Sequence, residues 1–193
     1  MSKESAWKDI FKAKIKPASV EEMLSKIPVF ETLEAKELRQ IAMIVHRRNY
    51  SKGEYVFYQG DPGLGMYVIE KGKVAIVLSG EEGTEKELTE LDDGDFFGEI
   101  ALLDQSPRSA SVLVKEDSKL IGFFRPDLFS IIEKTPKTGL KIITTLAEMI
   151  GERLRNTNNE VSKLRAENGL LKSQLEKETK HEKAATQKKK AGR

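Results

Sequence analysis

Phe97-Gly98-Glu99-Ile100-Ala101-Leu102-Leu103, followed by Pro107-Arg108-Ser109-Ala110-Ser111-Val112, is the stretch on which the reading of this chain turns. Between residues 97 and 111 these two runs hold one carboxylate, a short apolar turn, one guanidinium and two hydroxyls. Arg108 offers a planar fork of donors that matches two phosphate oxygens and does not lose its charge. Glu99, when ionised, only accepts hydrogen bonds; it suits a sugar hydroxyl and repels a bare phosphate. Gly98 lets the backbone come close to a ligand. Ile100 to Leu103 has the length of one helical turn, whose first N–H groups point free and favour an anion. Pro107 fixes the chain just before Arg108. Taken alone, the same residues also allow a plainer reading, in which Glu99 and Arg108 are a structural ion pair on a strand–turn–strand corner.

Around this stretch, from Tyr50 to Arg125, apolar residues recur with a period of two. Short strands are predicted at Tyr55–Tyr58, Met66–Glu70, Lys73–Leu78, Glu87–Leu91, Ala110–Lys115 and Lys119–Phe124. They are broken by Gly60-Asp61-Pro62-Gly63, Lys71-Gly72, Gly80 to Gly83 and Asp92-Asp93-Gly94-Asp95. Several short strands at this spacing predict a β-sandwich or barrel. On the N-terminal side Ser19 can cap a helix with Glu22 three residues on, and Pro28 ends it. Glu31 to Val45 reads as a second helix with Leu33, Leu38, Ile41, Ala42 and Val45 facing inward. On the C-terminal side Pro126–Thr135 reads as a short helix stopped at Pro136.

The Phe97-Gly98-Glu99 and Pro107-Arg108-Ser109-Ala110 elements, in this order and spacing, resemble the phosphate-binding cassette of the cyclic nucleotide-binding domain family, of the type found in catabolite activator proteins and protein kinase A regulatory subunits. Ile27-Pro28-Val29-Phe30 and Glu37-Leu38 resemble the start of the same domain. The resemblance implies an α+β fold: a jelly-roll-like β-roll of eight short strands with flanking helices, here followed by a long C-terminal coiled-coil helix. It implies that Glu99 holds a ribose 2′-hydroxyl and Arg108 a cyclic phosphate, with Phe97, Gly98, Ile100, Ala101, Ser109 and Ala110 completing the site. The implied ligand is cAMP, with cGMP as the alternative, because a serine at position 109 fits either. Thr157 and Asn158 stand near the point where the family reads the base and are the candidates for that contact. The resemblance further implies that nucleotide binding draws the hinge helix after the roll inward and closes the long helix over the base.

After Pro136 the pattern becomes a heptad. Leu140, Ala147, Leu154, Val161, Asn168 and Leu175 fall at a; Ile143, Ile150, Thr157, Leu164, Leu171 and Glu178 fall at d. Nine of these twelve are apolar, enough for a continuous seam. Glu160 and Glu167 at g face Arg165 and Lys172 at e in a parallel partner, and Asn168 at a is a register-setting residue. The expectation is a parallel homodimer through residues 140–178. The alternative is one amphipathic helix folded back on the roll, which accounts for the first two heptads and poorly for the charged remainder.

The 193 residues are thus divided into a basic segment 1–18, a cyclic nucleotide-binding domain 19–136, a long helix 137–180 and a disordered basic tail 181–193. Residues 1–18 hold Trp7, Ile10 and Phe11 near helical spacing, read as a short helix on its own domain or a partner rather than a membrane anchor. The net charge of +2 hides +3 on residues 1–16 and +4 on residues 176–193, leaving −5 on the rest. An acidic body with basic ends does not resemble a nucleic-acid groove. After residue 180 only thirteen mostly polar and basic residues follow, so no helix-turn-helix and no specific DNA binding are expected. There is no cysteine, and His46 and His181 stand far apart, which argues against thiolate, metal-cluster or triad chemistry; His46 is read as a helix-end residue. No apolar run of about eighteen residues and no signal sequence occur, so a cytoplasmic protein without a membrane span is expected. The functional expectation is a non-enzymatic nucleotide sensor that signals to a protein effector, without metal or other cofactor. The alternatives are a ligand-independent dimeric scaffold, or a nucleic-acid or membrane adaptor that uses the basic ends.

Overall fold

The computed structural model describes residues 19–80 and 84–191 and divides at Leu146 into two compact units. The basic segment 1–18, the expected break at residues 81–83 and the last two residues lie outside the described residues. So do the side chains of Leu170 and of every residue after Lys172.

The first unit begins as its sequence dictates. Ser19 Oγ accepts from the Glu22 N–H at 3.1 Å and starts α1, Val20–Leu24. Pro28 opens a 3-10 turn, Pro28–Phe30. The next helix, α2, covers Ala35–Ile44, shorter than the Glu31–Val45 expected, because a different cap wins. The Glu34 N–H donates to Glu37 Oε2 at 2.8 Å, so two glutamates form the capping box that Ser or Thr usually supplies. Leu33, Leu38 and Ile41 are buried as the helical stripe requires. His46 is not a helix end: it begins strand β1, His46–Tyr50. Its first four residues are all exposed, so no alternation marked that strand.

The sheet is antiparallel and contains β1, β2 (Tyr55–Phe57), β3 (Gly65–Ser79), β4 (Glu85–Leu91), β5 (Phe96–Phe97) and β6 (Ser111–Phe124). β3 and β6 pair from Gly65 with Phe124 to Val77 with Ser111, and each absorbs two of the short strands expected. Their outer neighbours change halfway. β6 pairs with β2 near its start and β1 near its end, whereas β3 pairs with β5 and then β4. Between the halves the β3–β6 register shifts from Ile69 to Val74, which is where the sheet rolls. Gly72 at that bend has φ +113°, and a Cβ there would collide with the buried Ser118. Among the described residues the roll is therefore built from six strands rather than eight, because its two long strands pass through the bend unbroken. Tyr67, Ile69, Val74, Phe97, Val112, Val114 and Leu120 fill its interior.

After β6 come α3, Arg125–Lys134, and α4, Pro136–Ala191. Within the first unit Phe30 meets Phe123 edge-on at 5.4 Å, and Ile142 and Leu146 of α4 are fully buried. The Glu37 carboxylate binds α4 directly: Thr138 Oγ1 donates to Oε1 at 2.8 Å and Lys141 Nζ to Oε2 at 2.7 Å. One carboxylate thus caps α2 and ties it to α4. The second unit, from Ala147, is a single helical stretch whose backbone stays helical to Ala191, past residue 180 where a disordered tail was expected to begin. Leu154, Val161, Leu164 and Leu171 are 59%, 39%, 51% and 61% exposed, so these seam positions form a bare apolar stripe.

Burial acts to raise the pKa of Glu37. The hydrogen bonds from Lys141, the Glu34 N–H and Thr138 outweigh it and hold the carboxyl below the usual glutamate range. A carboxylate held below its unfolded pKa contributes stability that is complete above about pH 4.3 and is lost as pH falls through the native value. Glu37→Gln should lower stability at pH 7 by on the order of 1 kcal/mol in urea unfolding. The gap between variant and parent should close as the pH is taken below about 4.

Candidate functional site

The cassette folds around one buried cation. Phe97 ends β5 and is buried among the core rings, stacked on Tyr67 with centroids 5.5 Å apart. Gly98 then turns the chain with φ +77° and begins the 3-10 turn Glu99–Leu102, so the expected helical turn starts one residue early, at Glu99. Ala101 and Leu102 are buried on its inner side and Ile100 stays 45% exposed. That turn packs near β3 and α3, which places the site beside the short helix leading to α4.

Arg108 approaches from the other side. Its backbone is fixed to the loop after β2, with its N–H donating to Asp61 O at 2.8 Å and its C=O accepting from Gly60 N–H at 2.9 Å. Pro107 and Pro62 bridge the same two segments. Its side chain is only 8% exposed. Nη2 donates to Gly65 O at 2.7 Å and Nη1 to Gly98 O at 3.2 Å, while Cζ sits 4.0 Å from the Phe57 ring centroid. The buried Nε–H has no hydrogen-bond partner among the described residues. Burial lowers the guanidinium's pKa, and the neighbouring Tyr67, Asp61 and Glu99 oppose that electrostatically; an arginine remains a cation under both influences.

Glu99 is 4% exposed, and its charge favours the Arg108 cation. A buried carboxylate and a buried guanidinium that still has N–H groups to donate form a mixed site. It offers acceptors to a hydroxyl and a donor fork to an anionic oxygen. Among the described residues no group of His, Cys, Asp and Glu is arranged to hold a metal ion.

The structure places Phe97, Gly98, Glu99, Ile100 and Ala101 on one turn and brings Arg108 to its first residues. Ser109 follows on the exposed side, Ala110 is half-buried and Ser111 is buried, its Oγ accepting from Gln59 N–H at 2.8 Å. Thr157 and Asn158 lie in the second unit, exposed, with Thr157 Oγ1 donating to its own helix at Arg153 O (2.9 Å). Two contributors escaped the sequence reading: Phe57, an aromatic in a strand that reads as ordinary core, and Gly65, which acts through its carbonyl. Gly-Leu-Gly at 63–65 was the only local signal of a close backbone approach.

A Cβ on Gly98 would stand 2.7 Å from Arg108 Nη1, so this position needs glycine for its φ and for the guanidinium's space. Gly53, with φ +89° and nothing within 4 Å, isolates the backbone effect. Gly53→Ala should lose about 1–2 kcal/mol in urea unfolding. Gly98→Ala should lose about 1 kcal/mol more because it also displaces Arg108 from its partners.

The defining sequence pattern of the cyclic nucleotide-binding domain matches residues 47–135. The chain is similar to the Cyclic AMP receptor protein of Thermus thermophilus, 35% identical over 137 residues that cover 71% of this chain and 62% of the relative. It is also similar to the cAMP-dependent protein kinase regulatory subunit of Emericella nidulans, 36% identical over 100 residues, 52% of this chain and 24% of that one. The chain spans less than two thirds of the length of these relatives. The crystal structure of the Thermus thermophilus Catabolite Activator Protein superposes with a TM-score of 0.63 at 35% identity, over 71% of this chain and 62% of that one. Sequence and fold agree over this region: residues 47–135 match the cyclic nucleotide-binding domain, and the chain shares the fold of the Thermus thermophilus structure.

Proposed function

We propose that this protein is a cyclic nucleotide sensor. Arg108 grips the cyclic phosphate, Glu99 holds the ribose 2′-hydroxyl, and Phe97, Gly98, Ile100, Ala101, Ser109 and Ala110 line the cassette. The observation that carries this reading is the state of Arg108: a buried cation, already oriented, with donors unspent and a buried carboxylate beside it. Such a pair stabilises a fold poorly compared with apolar residues of the same volume, so its worth lies in recognition. cAMP is the favoured ligand; similarity to proteins named for cyclic AMP supports it over cGMP. Thr157 and Asn158 are the proposed base contacts.

The output we propose is a change in α4. Its bare stripe at Leu154, Val161, Leu164 and Leu171 supports a parallel coil with a second copy. Glu37 and the site's closeness to α3 give ligand-driven strain a route into α4. The partner that reads this change is a protein. The polar groups are arranged to hold a diester rather than to cleave it, which favours a non-catalytic regulator.

Isothermal titration should show micromolar or tighter binding of cAMP, weaker binding of cGMP, and loss of both in Arg108→Ala. Absence of binding by the folded parent would overturn the reading. Spin labels at Val161 should report a distance between copies that changes when cAMP is added. An unchanged distance would remove the proposed output and leave the binding site standing.

A further inference from the structure

We infer that Phe57 is a positioning residue of the nucleotide site: its ring holds the Arg108 guanidinium in the plane from which a phosphate is gripped. This rests on the nucleotide reading of the site and adds a residue to it. Arg108 Cζ lies 4.0 Å from the Phe57 ring centroid, well inside the range of a cation–π contact. Arg108 is 8% exposed and Phe57 is half-buried, and this partial desolvation strengthens the attraction.

The ring and the two carbonyls divide the work. Gly65 O and Gly98 O accept from Nη2 and Nη1 and fix where the guanidinium's edges lie. Hydrogen bonds at two edges still allow the plane to tilt about the line joining them. A ring against one face opposes that tilt. An approaching anion is left with the in-plane N–H donors, the geometry in which arginine binds two oxygens at once. Ordering done before binding does not have to be done on binding, so the ring raises affinity without touching the ligand.

Phe57 is itself held. Its partner across the ladder is Val112, and its ring sits 6.0 Å from Tyr67 and 5.9 Å from Phe97, with Tyr67 and Phe97 stacked on each other. Phe97 opens the cassette, so three packed rings link the start of the cassette to the cation near its end. An aliphatic residue at position 57 fills the same core but has no negative face to offer a cation.

The test replaces Phe57 in the full chain with 4-fluoro-, 3,5-difluoro- and 3,4,5-trifluorophenylalanine, which nearly keep the shape and progressively remove the ring's negative face. Titration with cAMP should give a Kd that rises with each step, to about tenfold at three fluorines. Phe57→Leu should bind cAMP about tenfold more weakly and Phe57→Tyr within about twofold of the parent, the rescue that a ring-based role demands. A flat fluorine series in a protein that binds cAMP and loses it in Arg108→Ala would overturn the role of Phe57 and leave the site reading intact. A parent that binds no cAMP would overturn both.

Discussion

A guanidinium taken out of water must be paired, and much of this domain is arranged to pair one. Three segments meet at Arg108: the loop after β2, the start of β3 at Gly65, and the turn at Gly98. Each is constrained by the meeting. Gly98 is left-handed and carries no side chain because Nη1 occupies the space. Gly65 lends its carbonyl. Phe57 closes one face. Removing a partner from a buried charge costs far more than an exposed pair is worth, so these segments are held together by the penalty for separating them. Among the described residues the cation also keeps an Nε–H that nothing accepts, which makes the same penalty a driving force for an anionic oxygen to bind.

The roll delivers this site to the helices. β3 carries Gly65 at its first residue, β6 begins three residues after Arg108, and the two strands pair along nearly their whole lengths. Where β6 ends, α3 begins, and the Arg125 N–H donates to Leu64 O at 2.9 Å, one residue from the carbonyl that holds Arg108. A ligand that draws on the guanidinium therefore acts on a peptide whose neighbour anchors the first residue of α3. Further along, Glu37 ties α2 to the start of α4. A ligand shifts such a system only by the difference in its affinity for the two arrangements, and the contacts at Arg108 are where that difference can arise.

Much of this was legible in the residues. The cassette was visible because its chemistry is local: a glycine, a carboxylate and a guanidinium within a dozen positions. Ser19 marked the start of its helix because a cap acts on its neighbours, but the helix stops at Leu24 with Ser25 as its C-cap, not at Pro28, which instead opens the 3-10 turn. What could not be read depended on distant partners. Lys71-Gly72 looks like a turn between strands, but pairing with β6 carries β3 straight through it. β1 is charged and exposed along almost its whole length, so only its ladder with β6 makes it a strand. Glu34 and Glu37 are unusual caps, and their choice over an earlier start at Glu31 reflects what Glu37 gains from Thr138 and Lys141 more than 100 residues away. Phe57 reads as core because nothing near it in sequence announces a cation above its ring.

The most direct measurement is nitrogen-edited NMR of the arginine side chains during titration with cAMP. The Arg108 Nε–H signal can be assigned by its disappearance in Arg108→Lys. If the guanidinium is the phosphate grip, that signal shifts and saturates with the same midpoint as binding. Saturable binding of cAMP with the Arg108 signal unmoved would place the ligand elsewhere and contradict the account at its centre.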